Sequence, residues 1–244
     1  MLVGVPTEIK NHEYRVAITP AGVHEFVRHG HDVVVQAGAG LGSSIPDDEY
    51  SAAGAKIVPD HDQVWGEAEL VLKVKEPVAE EYGRMQPGQV LFTYLHLAAS
   101  RDCTHALLDR RVTGIAYETV QLPNGALPLL APMSEVAGRI APQVGAYHLM
   151  RQGGGRGTLM GGVSGVYAAK VVVIGAGVSG QNAATIALGM QAEVLLLDRN
   201  VARLRQMDAI YRGLCQTIAS NAYEVERAVL DADLVIGAVL VPGA

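Results

Sequence analysis

A stretch near the middle of the chain, residues 170–200, constrains the fold more than any other feature. It reads KVVVIGAGVSGQNAATIALGMQAEVLLLDRN. Residues 171–174 form an apolar, β-branched run of strand length, and the pattern G-x-G-x-x-G follows at once. Residues 181–188 then favour a helix that stops at Gly189, and residues 193–197 form a second strand that ends on Asp198. This order of strand, glycine turn, helix, strand and acid predicts one βαβ unit.

Each glycine of the pattern has a physical task in such a unit. Gly175 permits a tight turn, Gly177 lets the backbone approach a pyrophosphate, and Gly180 lets the helix pack against the strand. The helix N-terminus then offers N–H groups and a positive dipole end to an anion. Asp198 can bind an adenosine ribose and would repel the 2′-phosphate of NADP, although Arg199 beside it weakens that preference. We expect an NAD site; the alternative is a tight strand-to-helix turn in an ordinary α/β sheet.

Composition excludes several classes of protein. The 244 residues are 49% hydrophobic and 18% charged, with a net charge of −6, and are enough for two ordinary domains. No Lys/Arg cluster favours nucleic acid, and no apolar run approaches the roughly 20 residues of a membrane helix. Cys103 and Cys215 lie far apart without metal-ligand spacing. We therefore expect a cytoplasmic protein with reduced thiols, no metal site, no disulfide and no signal peptide.

Strands also alternate with helices in the first half of the chain. The strand-like runs are residues 2–6, 33–36, 56–58, 70–74, 90–94 and 113–117. Such alternation predicts a mostly parallel sheet covered on both faces. The expected fold class is α/β, with two Rossmann-like domains whose sheets are doubly wound, at residues 1–128 and 129–244. Ser134 is predicted to cap a domain-spanning helix that Pro142 strains.

Three side chains just beyond predicted strands are candidate substrate ligands. Arg15 follows the loop after the first strand, Lys75 ends LVLKVKEP, and His96 ends VLFTYLH. An arginine suits a carboxylate, a lysine can polarise a carbonyl, and a histidine exchanges a proton near neutral pH. Taken singly, Arg15 and Lys75 also fit solvated surface charges, and His96 fits a core or edge histidine.

Seven stretches carry a more specific signal: VGVPTEIKNHEYRVAITPAGV, LVLKVKEP, LFTYLHLAAS, APMSEVAGR, GGRGTLMGGV, VVVIGAGVSG and ADLVIGAVLVPGA. They resemble the alanine dehydrogenases of the alanine dehydrogenase and transhydrogenase superfamily along the whole chain. The resemblance implies an NAD-dependent enzyme that reversibly converts L-alanine to pyruvate and ammonia. It also implies a homo-oligomer, specifically a hexamer.

The resemblance implies roles for individual residues as well. Arg15 and Lys75 would bind substrate, and His96 would be the acid/base. The implied cofactor contacts, besides the three glycines, are Ser134 at the phosphates, Val178 and Ser179 in the glycine turn, Asp198 at the ribose, and Arg203, Ser220, Val239 and Leu240 around the adenosine half.

Members of this family extend well beyond the segment VLVPGA. The resemblance therefore implies that later strands of the second domain, a catalytic aspartate and a C-terminal return to the first domain are absent here. On this basis the second domain is expected to be incomplete, and the chain to be a fragment or truncated product with impaired or lost catalysis. The alternatives are the NAD-binding subunit of a proton-translocating transhydrogenase, which lacks a histidine at position 96, a non-catalytic NAD-binding fragment, or another amino- or hydroxy-acid dehydrogenase.

Overall fold

The structure is a computed structural model that describes residues 1–240, and the chain divides into two units, Met1–Leu129 and Leu130–Ala244. Each unit contains its own parallel β-sheet. The α/β fold predicted from the alternation of strands and helices is therefore confirmed. Within the described residues, no helix combines the length and the apolar character needed to cross a membrane.

The first unit has a six-stranded sheet flanked by helices. Its strands are β1 (Leu2–Val5), β2 (Asp32–Gln36), β3 (Lys56–Val58), β4 (Leu70–Leu72), β5 (Val90–Thr93) and β6 (Thr113–Ala116). Its helices are α1 (Pro20–Arg28), α2 (Asp47–Ala52), α3 (His61–Glu67), α4 (Ala79–Tyr82) and α5 (Arg101–Arg110). Short 3₁₀ turns span Leu41–Ser43, Leu97–Ala99 and Tyr117–Thr119.

The order of strands fixes where a ligand can bind to this unit. All pairs are parallel, in the order β3-β2-β1-β4-β5-β6. Successive strands are added outward from β1 in one direction and outward from β4 in the other, so the order of strands reverses between β1 and β4. Ligands of open parallel sheets bind beyond the carboxyl ends of the strands at such a reversal. The loops after β1 and β4 are therefore the expected walls of a site.

The central strands of the first sheet, β1, β2, β4 and β5, are buried on both faces, whereas the edge strand β6 is largely exposed. Successive strand residues point to opposite faces, so Val33 and Val35 pack with Tyr50 in one cluster, while Val34 packs with Val64 in another. A further cluster around Trp65 covers the half of the sheet that contains β4 and β5. Burial on both faces explains why these strands are almost continuously apolar in sequence.

The second unit begins with a long helix and continues with alternating strands and helices. The helices are α6 (Ala131–Leu149), α7 (Val178–Gly189), α8 (Val201–Tyr211) and α9 (Ala222–Asp231). The strands are β7 (Lys170–Ile174), β8 (Glu193–Asp198), β9 (Cys215–Ala219) and β10 (Leu234–Gly237), and a 3₁₀ turn spans Arg151–Gly153. The parallel order β10-β7-β8-β9 places the reversal of this sheet between β7 and β10.

One predicted helix end is wrong. α6 begins at Ala131 with Leu130 as its N-cap, so Ser134 does not cap it; the Ser134 N–H already donates to the Leu130 carbonyl at 3.2 Å inside the first turn. Pro132, whose ring presets a helical φ, starts the helix earlier. At its N-terminus α6 is therefore longer than its strongest local signal, Ser134, suggests. α7 ends at Gly189, the predicted stop, and Met190 is its C-cap.

Candidate active site and nucleotide-binding turn

The three candidate substrate residues follow neighbouring strands of the first sheet. Arg15 lies in the segment between β1 and α1, Lys75 lies three residues after β4, and His96 lies three residues after β5. β1 pairs with β4 and β4 with β5, all in parallel. Their carboxyl ends therefore form one edge of the sheet, beside its reversal. The structure thus brings the three residues to the edge where ligands of such sheets bind.

Arg15 is oriented by a carboxylate two residues before it. Its Nε donates to Glu13 Oε1 at 2.7 Å and its Nη2 donates to Oε2 at 2.6 Å, which is a bidentate pair. The hydrogen bond from Arg15 holds the pKa of Glu13 below its usual 4.5, and Lys75 lowers that pKa further. Glu13 is 7% exposed and Arg15 is 41% exposed. The guanidinium is therefore fixed at the edge while it remains accessible to solvent.

His96 lies between two carboxylates. Its Nδ1 is 3.1 Å from Glu76 Oε2, and its backbone N–H donates to Glu118 Oε1 at 2.7 Å. The backbone is left-handed, with φ 46° and ψ 40°, a conformation that costs a residue with a side chain about 1–3 kcal/mol. Tyr94 stacks on the imidazole with ring centroids 6.0 Å apart. At 43% exposure the ring is outside the core.

A buried charge network that the sequence did not predict lies behind this edge. Lys73 Nζ is 3.1 Å from Glu8 Oε2 and 2.9 Å from Glu81 Oε1, and His61 Nε2 is 3.2 Å from the same Glu81 oxygen. The side chains of Lys73 and Glu81 are 1% exposed and that of Glu8 is 3% exposed. The sequence does offer one signal for this network. Lys73 lies inside the apolar run LVLKV, and a fully buried lysine requires a charged or polar partner.

The network joins the two loops that flank the reversal of the first sheet. Glu8 lies in the loop after β1, and its Oε1 accepts the Val74 N–H at 2.6 Å, just before Lys75. Burial raises the pKa of Glu8 against the influence of Lys73. At Glu81, burial is outweighed by hydrogen bonds from His61 and Lys73, so its pKa is lowered. The backbone that carries Lys75 is therefore held from both sides.

The glycine turn lies at the reversal of the second sheet. Gly175 has φ +104°, and a Cβ there would lie 2.6 Å from the Ala238 carbonyl oxygen. A Cβ at Gly180 would lie 1.7 Å from the Gly175 oxygen, so α7 can approach β7 only with glycine there. Gly177 differs, because the nearest atom to an added Cβ is Arg203 Nη1 at 3.8 Å. Gly177 thus leaves open space before the N-terminus of α7, where a pyrophosphate would fit.

Asp198 lies at the end of β8 and contacts the turn. Its Oδ2 accepts the Ala176 N–H at 2.7 Å, its Oδ1 accepts the Asn200 N–H at 2.7 Å, and Arg203 Nη1 is 4.0 Å from Oδ2. The Ser220 N–H donates to the Asp198 carbonyl at 2.9 Å. The acid, the turn, Arg203 and Ser220 are therefore brought together.

The remaining predicted nucleotide residues lie around the same turn. Val178 and Ser179 open α7, and Val239 Cγ2 would be 3.0 Å from a Cβ on Gly175. α6, which carries Ser134, approaches α7 at Gly138, where an added Cβ would lie 2.2 Å from the Ser179 oxygen. Within residues 1–240, no hydrogen bond or ion pair joins Ser134 or the exposed Leu240 to the turn.

Neither cysteine adds chemistry to these sites. Cys103 and Cys215 are free and buried, and burial raises the pKa of each thiol to about 11. Both therefore stay protonated at neutral pH. Over the part of the chain that the structure describes, no group of three or more His, Cys, Asp or Glu could hold a metal ion.

Two family profiles match nearly the whole chain. The profile "Alanine dehydrogenase/PNT, N-terminal domain" matches residues 4–137, and "Alanine dehydrogenase/PNT, C-terminal domain" matches residues 141–244. The chain belongs to this alanine dehydrogenase/PNT family. The family resemblance found in the sequence motifs is thereby confirmed.

Individual members of the family show how much of them the chain represents. The alanine dehydrogenase of Mycobacterium tuberculosis (strain CDC 1551 / Oshkosh) is 68% identical over 244 residues, which are 100% of this chain and 66% of that protein. A solved L-alanine dehydrogenase has a TM-score of 0.92 at 50% identity and is matched over 99% of this chain and 67% of its own. The transhydrogenase from Sinorhizobium meliloti has a TM-score of 0.82 at 30% identity, over 100% of this chain and 71% of its own. The chain spans about two thirds of the length of these relatives.

Proposed function

We propose that the protein catalyses the reversible, NAD-dependent oxidative deamination of L-alanine to pyruvate and ammonia. The observation that carries this proposal is the position of Arg15, Lys75 and His96 after three adjacent strands, beside the reversal of the first sheet. Relatives named alanine dehydrogenase support alanine as the substrate. In this proposal residues 1–128 form the substrate domain and residues 129–244 the NAD-binding domain.

Each substrate residue has a separate task. The Arg15 guanidinium, held by Glu13, binds the substrate carboxylate. Lys75 orients that carboxylate and polarises the carbonyl or imine carbon. His96 takes a proton from the water that attacks the iminium carbon and returns it in the reverse direction. Together these groups fix the reacting atoms within reach of one another and limit the access of stray water.

The second unit supplies the residues that would hold NAD. When bound, NAD would supply the acceptor for the hydride that leaves the substrate Cα. The binding residues we propose are Gly175, Gly177, Val178, Ser179, Gly180, Ser134, Asp198, Arg203, Ser220, Val239 and Leu240. The open space at Gly177 supports a pyrophosphate at the N-terminus of α7. The carboxylate of Asp198 at the end of β8 supports NAD over NADP.

The setting of the reaction belongs to the proposal as well. We place the protein in the cytoplasm, as a homo-oligomer and specifically a hexamer, with no nucleic-acid or membrane partner. The two free thiols support a cytoplasmic location, and the net charge of −6 argues against a nucleic-acid partner.

NADH formation from L-alanine and NAD tests the proposed activity. We expect His96→Ala to lower kcat about 10²–10⁴-fold, since a general acid/base contributes about that much. His105→Ala, on the exposed side of α5, is the matched control and should leave the rate unchanged. Alanine-dependent turnover that is unaffected by His96→Ala would contradict the role of His96. NADH binding without alanine turnover would instead favour a non-catalytic or transhydrogenase-like nucleotide-binding protein.

A further inference from the structure

The imidazole of His96 has two nitrogens, and the partner of one decides which of them carries the proton. Glu76 Oε2 is 3.1 Å from Nδ1. We propose that Glu76 is a positioning residue for His96, whose carboxylate keeps the proton on Nδ1 and leaves the lone pair of Nε2 for proton transfer. This inference rests on the proposed function, in which His96 moves the proton of the attacking water.

Glu76 can only accept hydrogen bonds. Burial alone would raise its pKa, but hydrogen bonds from Lys10, from its own backbone N–H and from His96 outweigh burial, and the pKa lies below the usual 4.5. The side chain is therefore ionised at neutral pH. Because an ionised carboxylate has no proton to donate, Nδ1 must be the donor.

The Glu76 carboxylate is itself fixed in place. Its Oε1 pairs with the Lys10 ammonium while Oε2 meets the imidazole, and the side chain is 13% exposed. Two residues earlier, the Val74 N–H is held by Glu8 of the buried network. Both the carboxylate and the backbone that carries it are thus restrained, which is what a residue needs in order to orient another.

The other charged neighbours of His96 leave this role to Glu76. Glu118, in the turn after β6, accepts the backbone N–H groups of Leu95 and His96 and so holds the left-handed backbone rather than the ring. Tyr94 stacks on the ring, and burial raises the pKa of its phenol, so this neighbour carries no charge near neutral pH. Within residues 1–240, no hydrogen bond is made to Nε2, so this nitrogen is the one available to substrate.

The tautomer can be observed directly by NMR of protein labelled with ¹⁵N-histidine in mildly alkaline buffer. His96→Ala identifies the signal among the eight histidines. We expect the proton on Nδ1 in the wild type and in Glu80→Gln, an exposed control on α4. In Glu76→Gln it should move partly or wholly to Nε2, because the new amide can donate to Nδ1. Lys10→Met, which removes the other partner of Glu76, should keep the proton on Nδ1.

Kinetics then separate positioning from simple support of the fold. We expect Glu76→Gln to lower kcat about 10–100-fold while the KM for alanine changes about twofold or less, and Lys10→Met to have a smaller effect. A wild-type proton on Nε2, or a tautomer that Glu76→Gln leaves unchanged, would overturn the proposal. The wild-type spectrum decides the matter even if Glu76→Gln fails to fold. If the tautomer responds as expected but alanine is not oxidised, the positioning role stands and the proposed function fails.

Discussion

At the scale of single residues, Lys73 shows what a buried charge requires. It lies between Glu8 and Glu81, at 3.1 and 2.9 Å, in a region almost without solvent. Removing the ammonium leaves two buried carboxylates close together, so we expect Lys73→Met to lower the free energy of unfolding by about 3–5 kcal/mol. Urea denaturation measures this change. Lys56→Met, at an exposed position of β3, is the matched control and should stay within about 0.5 kcal/mol of the wild type.

A methionine variant as stable as the wild type would show that the two carboxylates take up protons or water at no cost. It would contradict the account of the network as a charge-balanced anchor. In that case the position of Lys75, two residues beyond Lys73, would not depend on Lys73, and the rate of alanine oxidation should be unchanged in Lys73→Met.

At the scale of elements, the contact of α7 with β7 depends on one missing side chain. A Cβ at Gly180 would lie 1.7 Å from the Gly175 oxygen, and that oxygen is backbone that cannot move aside. We expect Gly180→Ala to push α7 off the sheet and to abolish NADH binding, measured by the quenching or enhancement of NADH fluorescence. Gly189→Ala, in the same helix, meets no atom within 4 Å and should keep binding and gain about 0.5–1 kcal/mol of stability. Equal affinities in the two variants would contradict this packing.

The elements also show which parts of the fold could be predicted from sequence. The strands and the glycine turn were predictable, because apolar runs and glycine spacing are local signals. The carboxyl-end positions of Arg15, Lys75 and His96 followed from the same reasoning. The side-chain pairs of the site could not be predicted in this way, because their members are distant in sequence. Glu76 and His96 are 20 residues apart, and Glu8 and Lys73 are 65 residues apart. Contacts of this kind depend on which strands become neighbours, and local patterns in a single sequence do not reveal that order.

At the scale of the whole molecule, each unit has its own parallel sheet and its own core, with clusters around Val3 and Trp65 in the first and around Val171 in the second. We expect calorimetry to resolve two unfolding transitions, since each core can be lost cooperatively. Lys73→Met should lower the midpoint of one of them. NADH at about 100 times its dissociation constant should raise the midpoint of the other transition. The gain corresponds to about 2.7 kcal/mol in the free energy of unfolding of the second unit, because NADH is expected to bind only the native form of that unit. One transition that responds to both changes would instead mean that the two units unfold together, and the assignment of substrate and nucleotide to separate folding units would then be wrong.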